Sequence, residues 1–343
     1  MSTDMISAYS IVQEQGELYM AVKDKMLELF ESNKGIYFSG EEIAQKLSVS
    51  RAAVWKAVKV LQSEGYTIDA VSNKGYCLSE KTDILSPQGI QKYLSPLCAD
   101  MEIEVVPIVN STISVVREKA IEGAPEGYVI IANEQTAGRG RRGRSFASPA
   151  GSGIYMSLLL RPTQYSSEQA IRITTIAAVA VCEAIEAVSK EKAEIKWVND
   201  VFVKGKKVCG ILTEASFGME SGMLEYAVLG VGINAYRPKD GFGEALEQIA
   251  GAVFDAAQND AKNQLTAAFL NSFMKYYAAL DSVDYAEEYR KRSLAIGKQV
   301  NVISGEEIRK AFVLGIDDDC QLQVRFEDGT EETLSSGEIS IRL

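Results

Sequence analysis

FSGEEIAQKLSVSRAAVWKAVKVLQSEGYTI, running from Phe38 to Ile68, holds two helix starts separated by a tight turn. Ser39 is placed to cap a helix carrying Ile43, Ala44 and Leu47, and Ser50 to cap a second from Arg51 to about Ser63. The reason is that a short hydroxyl side chain accepts the orphan N–H groups of a first turn. On the second helix Val54, Val58 and Leu61 share one face, while Arg51, Trp55 and Lys59 share the other with Lys56 beside them. The inner stripe is apolar and the outer stripe basic.

Upstream, ELYMAVKDKMLELFES (17–32) puts Leu18, Val22, Met26, Leu29 and Phe30 at helical spacing. Downstream, YTIDAVSNKGYCLSE alternates apolar and polar residues around Asn73-Lys74-Gly75, a hairpin signal with Lys74 at the tip. Two helices, a short turn and a following hairpin make the arrangement of a winged, DNA-reading helix-turn-helix. Arg51, Trp55, Lys56, Lys59 and Lys74 are then the candidate DNA contacts. A small helical interaction module with merely solvated lysines is the competing reading. Either way a first domain is expected over 17–84.

TDILSPQGIQKYLSPL, with two prolines, leads into a different pattern. EIEVVPIV, YVIIAN, GIYMSLLL, AEIKW, KVCGILTEAS and LEYAVLGVGIN read as strands, STISVVREKAIE and about 167–188 as helices. The short FGMESG connection makes the sheet mixed or partly antiparallel. Helices about 262–280 and 284–294 close a central domain over 85–295, and short punctuated strands over 296–343 suggest a small barrel similar to an SH3-like fold. The expected class is α/β multidomain with a central α+β domain.

The composition excludes whole classes of chemistry. There is no histidine, so imidazole bases, histidine-activated nucleophiles and histidine-held zinc are out. The five cysteines are odd in number and scattered, which fits reduced thiols and not a disulfide framework or a CxxC metal site. No apolar run approaches the length of a membrane span and the N-terminus is too polar for a secretory signal, so a cytoplasmic protein without a membrane partner is expected. Residues 1–16 read as a floppy tail.

GRGRRGR, Gly138 to Arg144, sets four guanidinium groups in a chain of formal net charge -11. Neighbouring cations about 7 Å apart repel by only about 0.6 kcal/mol in water, but three glycines make ordering entropically costly. The loop is expected to be mobile until an anion arrives, either a nucleotide beneath it as a lid or a nucleic-acid backbone along an RGG-like tract. Strong strands on either side favour the lid, and Phe146 could cap a bound base. KWVND is expected to place Asn199 and Asp200 in a turn after Lys196; GKKVCGILTE sets Lys206 and Lys207 at the mouth of a buried strand.

Taken together, the winged helix, ST at 111–112, QTAGRGRRGR, KWxND, KxxGIL, GxGIN and the C-terminal GEIS resemble the bifunctional biotin-protein ligases, which also repress the biotin operon. The resemblance implies a central domain like that of class II aminoacyl-tRNA synthetases and a two-step acyl transfer through biotinyl-5'-AMP to a lysine of a biotin carboxyl carrier protein. It assigns Ser111, Thr112 and Gln135 to the ureido end of biotin, with backbone of Gly138, Arg139 and Gly140 closing over it. Arg141 and Lys207 meet the biotin carboxylate and α-phosphate as the catalytic pair; Arg144, Phe146, Lys196, Asn199, Asp200 and Asn234 serve the ATP side. Mg2+ comes on the phosphates and no protein metal site is implied. Asp200 is also a candidate to help neutralise the acceptor lysine. Operator DNA and a ligand-promoted homodimer complete the implied partners. Three positions depart from the family pattern: Ile113 for asparagine, Val198 for proline and Phe146 for tryptophan. The rival readings are a ligand-sensing regulator without ligase activity, a lipoate-protein ligase and an RNA-binding protein.

Overall fold

Both helices expected between Phe38 and Ile68 form where their caps lie. In this computed structural model, which describes residues 21–166, 170–218, 220, 222–280, 285–304, 307–335 and 337–341, helix α1 covers 21–31. Leu18 and residues 1–16 lie outside the described residues. Helix α2 (Gly40–Leu47) starts in a reciprocal capping box between Ser39 and Glu42, and α3 (Arg51–Ser63) starts where the Ser50 hydroxyl accepts the Ala53 N–H. Ser48, at a φ of 55°, makes the turn. Val54, Val58 and Leu61 of α3 are buried with Val22, Met26, Leu27 and Phe30 of α1; each such aliphatic side chain contributes about 1.5–3 kcal/mol on burial. On α1 it is Leu27 that is buried, while Leu29 is only partly covered. Arg51, Trp55, Lys56 and Lys59 are exposed on the outer face of α3. Strands β1 (Ile68–Val71) and β2 (Gly75–Leu78) form the two-stranded hairpin, with Asn73 and Gly75 both at positive φ, as a tight turn requires.

The chain divides into two compact units, one running to Tyr93 together with Gln258–Asn263, the other comprising Leu94–Ala257 and Gln264–Leu343. Within the first, the end of α1 is tied to Asp260 by an ionic cluster. Lys34 reaches Asp260 at 2.8 Å, Lys92 reaches Glu31 at 2.8 Å and Asp260 at 2.6 Å, and Tyr93 donates to Asp260 at 2.7 Å. Helix α4 (Pro87–Gln91) is capped by Ser86.

The second unit holds a seven-stranded sheet in the order β3 (Glu102–Val106), β4 (Tyr128–Ala132), β5 (Gly153–Leu160), β9 (Leu224–Asn234), β8 (Lys206–Phe217), β7 (Asp200–Val203), β6 (Ala193–Lys196). Only β3 and β4 run parallel, so the sheet is mixed, as the glycine-rich turn after β8 suggested. Helix α5 (Thr112–Ile121) packs on β4, β5 and β9, and α6 (Ile171–Ser189) on β6, β7 and β8. Strand β7 has no counterpart in the sequence reading, because DVFV is short and directly follows a polar turn. Helices α7 (Ala261–Ala278) and α8 (Tyr285–Lys291) follow; Asp284, expected to begin the latter, lies outside the described residues. Strands β10 (Gln299–Ser304), β11 (Glu307–Ile316), β12 (Leu322–Phe326), β13 (Glu331–Leu334) and β14 (Glu338–Ile341) form one antiparallel sheet in the order β13-β12-β11-β10-β14. All five cysteines are free and buried. Among the described residues no helix is long and apolar enough to cross a membrane.

Candidate active site

Two glycines of β9, Gly230 and Gly232, lie on one face of the strand, and Gly232 pairs in register with Gly210 of β8. Lacking side chains, these positions leave a trough in the sheet. Ile113 of α5 and Phe146 fill part of it: a Cβ at 230 would come 2.6 Å from Ile113 Cδ1, and one at 232 would come 2.5 Å from the Phe146 ring. Phe146 also meets Tyr155 edge-on, with centroids 6.4 Å apart. Ile113, in the place of the family's asparagine, thus forms an apolar wall. The trough continues as a cavity of about 140 Å3.

One end of the cavity is polar and uncharged. Gln135 Oε1 accepts from the Thr112 N–H at 2.9 Å and from its hydroxyl at 3.1 Å. Because a backbone N–H can only donate, the orientation of the Gln135 amide is unambiguous. The neighbouring Ser111 Oγ is buried without a hydrogen-bond partner, and Ser111 is not among the lining residues.

Other lining residues are cationic. GRGRRGR folds as a short hairpin closed by Phe146 N–H to Gly138 O at 2.9 Å and Gly140 N–H to Arg144 O at 2.8 Å. Arg142 and Gly143, both at positive φ, form its tip. Arg139 pairs with Glu214 of β8 at 3.1 Å. Arg141 donates to Asn199 Oδ1 at 2.8 Å and to Gly337 O at 3.4 Å; burial, with Arg142 adding to it, lowers its pKa. Arg144 grips Glu338 of β14 through two bonds of 2.8 and 2.9 Å. That contact holds the Glu338 carboxyl below the usual carboxylate range and raises the Arg144 pKa.

Lys207 forms an ion pair with Asp200 at 2.6 Å. Burial pushes the Lys196 ammonium below its ordinary value, opposed by Asp200 and reinforced by Lys207. Asn199 occupies the turn after β6, as expected, but Asp200 is already the first residue of β7, paired with Lys196 across the turn. Its Oδ1 is the atom that pairs with Lys207.

The cavity therefore gathers Thr112, Gln135, Arg139, Gly140, Arg141, Arg144, Phe146, Lys196, Asn199, Asp200 and Lys207 from separate parts of the chain. Gly138 supports the hairpin stem from behind. Asn234 is not part of the lining; its amide donates to Gly251 O at 3.0 Å and ties down the end of β9. The sequence reading missed Ile113, Glu214 and the Gly337-Glu338 pair as contributors. The last was visible as the GEIS motif, without any indication of what it would touch.

Family models match three parts of the chain: an HTH domain over residues 22–77, the Biotin/lipoate A/B protein ligase family over 105–234, and a Biotin protein ligase C terminal domain over 295–342. The Bifunctional ligase/repressor BirA of Bacillus spizizenii is 33% identical over 321 residues, covering 92% of this chain and 97% of that protein. Its Escherichia coli namesake is 29% identical over 319 residues, covering 90% and 94%. Among solved structures, a biotin protein ligase from Aquifex aeolicus in complex with biotin and ATP shares the fold at a TM-score of 0.59 and 24% identity, over 70% of this chain and 98% of that one. With similarity running from the helix-turn-helix through the trough to β14, the chain belongs to the bifunctional biotin ligase/repressor family.

Proposed function

We propose that the protein joins biotin to ATP as biotinyl-5'-AMP, passes the biotinyl group to a lysine of a biotin carboxyl carrier protein, and represses transcription as an adenylate-responsive dimer on operator DNA. The observation carrying this reading is the set of environments gathered in one cavity: hydroxyl and amide groups at Thr112 and Gln135, an apolar glycine floor, and several cations. A bicyclic urea with a carboxylate tail matches that set of environments. A dithiolane ring offers no acceptor to the second Gln135 Nε2 hydrogen, a loss of about 1–3 kcal/mol, which disfavours lipoate.

In this reading Thr112 and Gln135 hold the ureido group with Ser111 beside them, and the backbone of Arg139 and Gly140, with Gly138 in the stem, covers it. Arg141 and Lys207 neutralise the carboxylate and α-phosphate as they come together, so catalysis rests on alignment and fixed charge, as a chain without histidine requires. Arg144, Lys196 and Asn199 face the phosphates, Asp200 orients Lys207, Phe146 presents its ring to the base, and Asn234 acts only through the end of β9. Mg2+ would be carried by the nucleotide phosphates and offset their charge; among the described residues no three acidic or cysteine groups gather to hold an ion. Arg51, Trp55, Lys56, Lys59 and Lys74 face DNA. The domains are 17–84, 85–295 and 296–343, the second related in fold to class II aminoacyl-tRNA synthetases and the third an SH3-like barrel; the site is cytoplasmic. Mass spectrometry of a carrier domain incubated with the protein, biotin and MgATP tests the proposal: a single biotinyl addition is expected, and an unmodified carrier refutes it.

A further inference from the structure

Four hydrogen bonds next to the cavity run in one direction. Ser157 Oγ, fully buried on β5, donates to Thr112 Oγ1 at 2.8 Å. Thr112 Oγ1 donates to Gln135 Oε1 at 3.1 Å, Gln135 Nε2 to Ser148 Oγ at 2.8 Å, and Ser148 Oγ to the Phe146 carbonyl at 3.0 Å. The Ser148 carbonyl also accepts the Gln135 N–H at 3.1 Å. Such head-to-tail chains polarise one another, so that strengthening one bond strengthens the rest. The chain ends at the residue whose own N–H closes the arginine hairpin onto Gly138. Gly138 has no side chain where Ser148 Oγ sits; a Cβ there would come 2.7 Å from that oxygen.

We infer that Ser148 is a positioning residue that couples recognition of the biotin ring to closure of the arginine loop. Only one of the two Gln135 Nε2 hydrogens is used by Ser148, leaving the other for a ligand carbonyl. A ureido oxygen taking it fixes the Gln135 amide in place, and with it the donor that holds Ser148 Oγ against the Phe146 carbonyl. Ring binding at Gln135 is thereby felt in the stem of the arginine loop. The inference rests on the ligase reading proposed above.

The test uses the full-length protein with Ser148→Ala, which keeps the Cβ and removes the junction, beside Ser157→Ala, which removes the far end of the chain and leaves Ser148 in place. For Ser148→Ala the KM for biotin is expected to rise about tenfold, the KM for ATP at saturating biotin to stay within about twofold, and saturating biotin to lose its ability to slow tryptic cleavage between residues 138 and 144. Ser157→Ala is expected to weaken biotin binding but keep protection at saturation. A Ser148→Ala protein with wild-type biotin KM, or one that biotin protects as fully as wild type, overturns the inference. If Ser148→Ala does not fold, Ser148→Cys, which fills the same space with a weak donor, is read by the same criteria. Wild-type protein that forms no biotinyl-5'-AMP refutes the ligase reading itself, an outcome distinct from an active wild type with an indifferent Ser148→Ala.

Discussion

Replacing Gly138 by alanine tests the arginine loop most directly. The new methyl group would lie 2.7 Å from Ser148 Oγ and closer still to the Phe146 carbonyl oxygen, whereas comfortable C···O approaches begin at about 3.3 Å. The stem must open by roughly half an ångström or more. Neither neighbour yields freely, because the Phe146 carbonyl belongs to the backbone and Ser148 Oγ is bonded on both sides. Overpacking costs about 1–3 kcal/mol and the strained Phe146-to-Gly138 bond about 1 kcal/mol more. The closed loop is then disfavoured by about 2–4 kcal/mol, which corresponds to roughly a 30- to 700-fold fall in kcat/KM for adenylate formation. Global stability changes less, since the loop can open at no more than the free energy its closure contributes. The assay is biotin-dependent pyrophosphate exchange, with tryptic cleavage after the loop arginines followed in parallel. Wild-type exchange with unchanged cleavage would refute the view that the closed hairpin is the working form.

Asp260→Asn removes the charge between Lys34 and Lys92 while keeping a residue that tolerates the φ of 57° found there. It is expected to destabilise the protein by about 3 kcal/mol at neutral pH in urea unfolding, because one buried partner of an ionic cluster is lost. Burial pushes the Asp260 carboxyl up, but its donors, Lys34 first, outweigh that and hold it below 3.8. The unfolded chain therefore binds the proton first as pH falls; the contribution is complete above about pH 4 and disappears as pH drops through the folded value. Wild-type stability must show that acid dependence and Asp260→Asn must lack it; parallel curves would refute the assignment. On the outer face of α3, Lys56→Ala and Lys59→Ala are each expected to reduce the salt dependence of binding to a mixed-sequence duplex by about one phosphate contact. Unfolding midpoints should hardly move, since both side chains are exposed, and an unchanged salt slope would remove this face from the DNA contact.

Much of the architecture was legible because it is written in neighbouring residues. Ser39 and Ser50 cap their helices, Asn73 and Gly75 turn the hairpin, and GIYMSLLL and LEYAVLGVGIN form strands over their full lengths. Caps, turns and periodicity act over a few residues, so a linear chain displays them. The motifs likewise announced which cations would gather, since nothing else in so acidic a chain explains GRGRRGR.

What the linear chain could not show is which groups those cations would meet. Arg139 finds Glu214 and Arg144 finds Glu338, 194 residues away, because the sheet order brings β8 and β14 beside the loop. Glycines 210, 230 and 232 lie within strands that were legible, but only strand register sets them together as a floor for Ile113 and Phe146. Nor does the sequence show that Asp200 and Lys207 meet at 2.6 Å. Local propensity is decided by covalent neighbours, whereas charge pairing and close packing depend on distances that exist only once distant strands are joined.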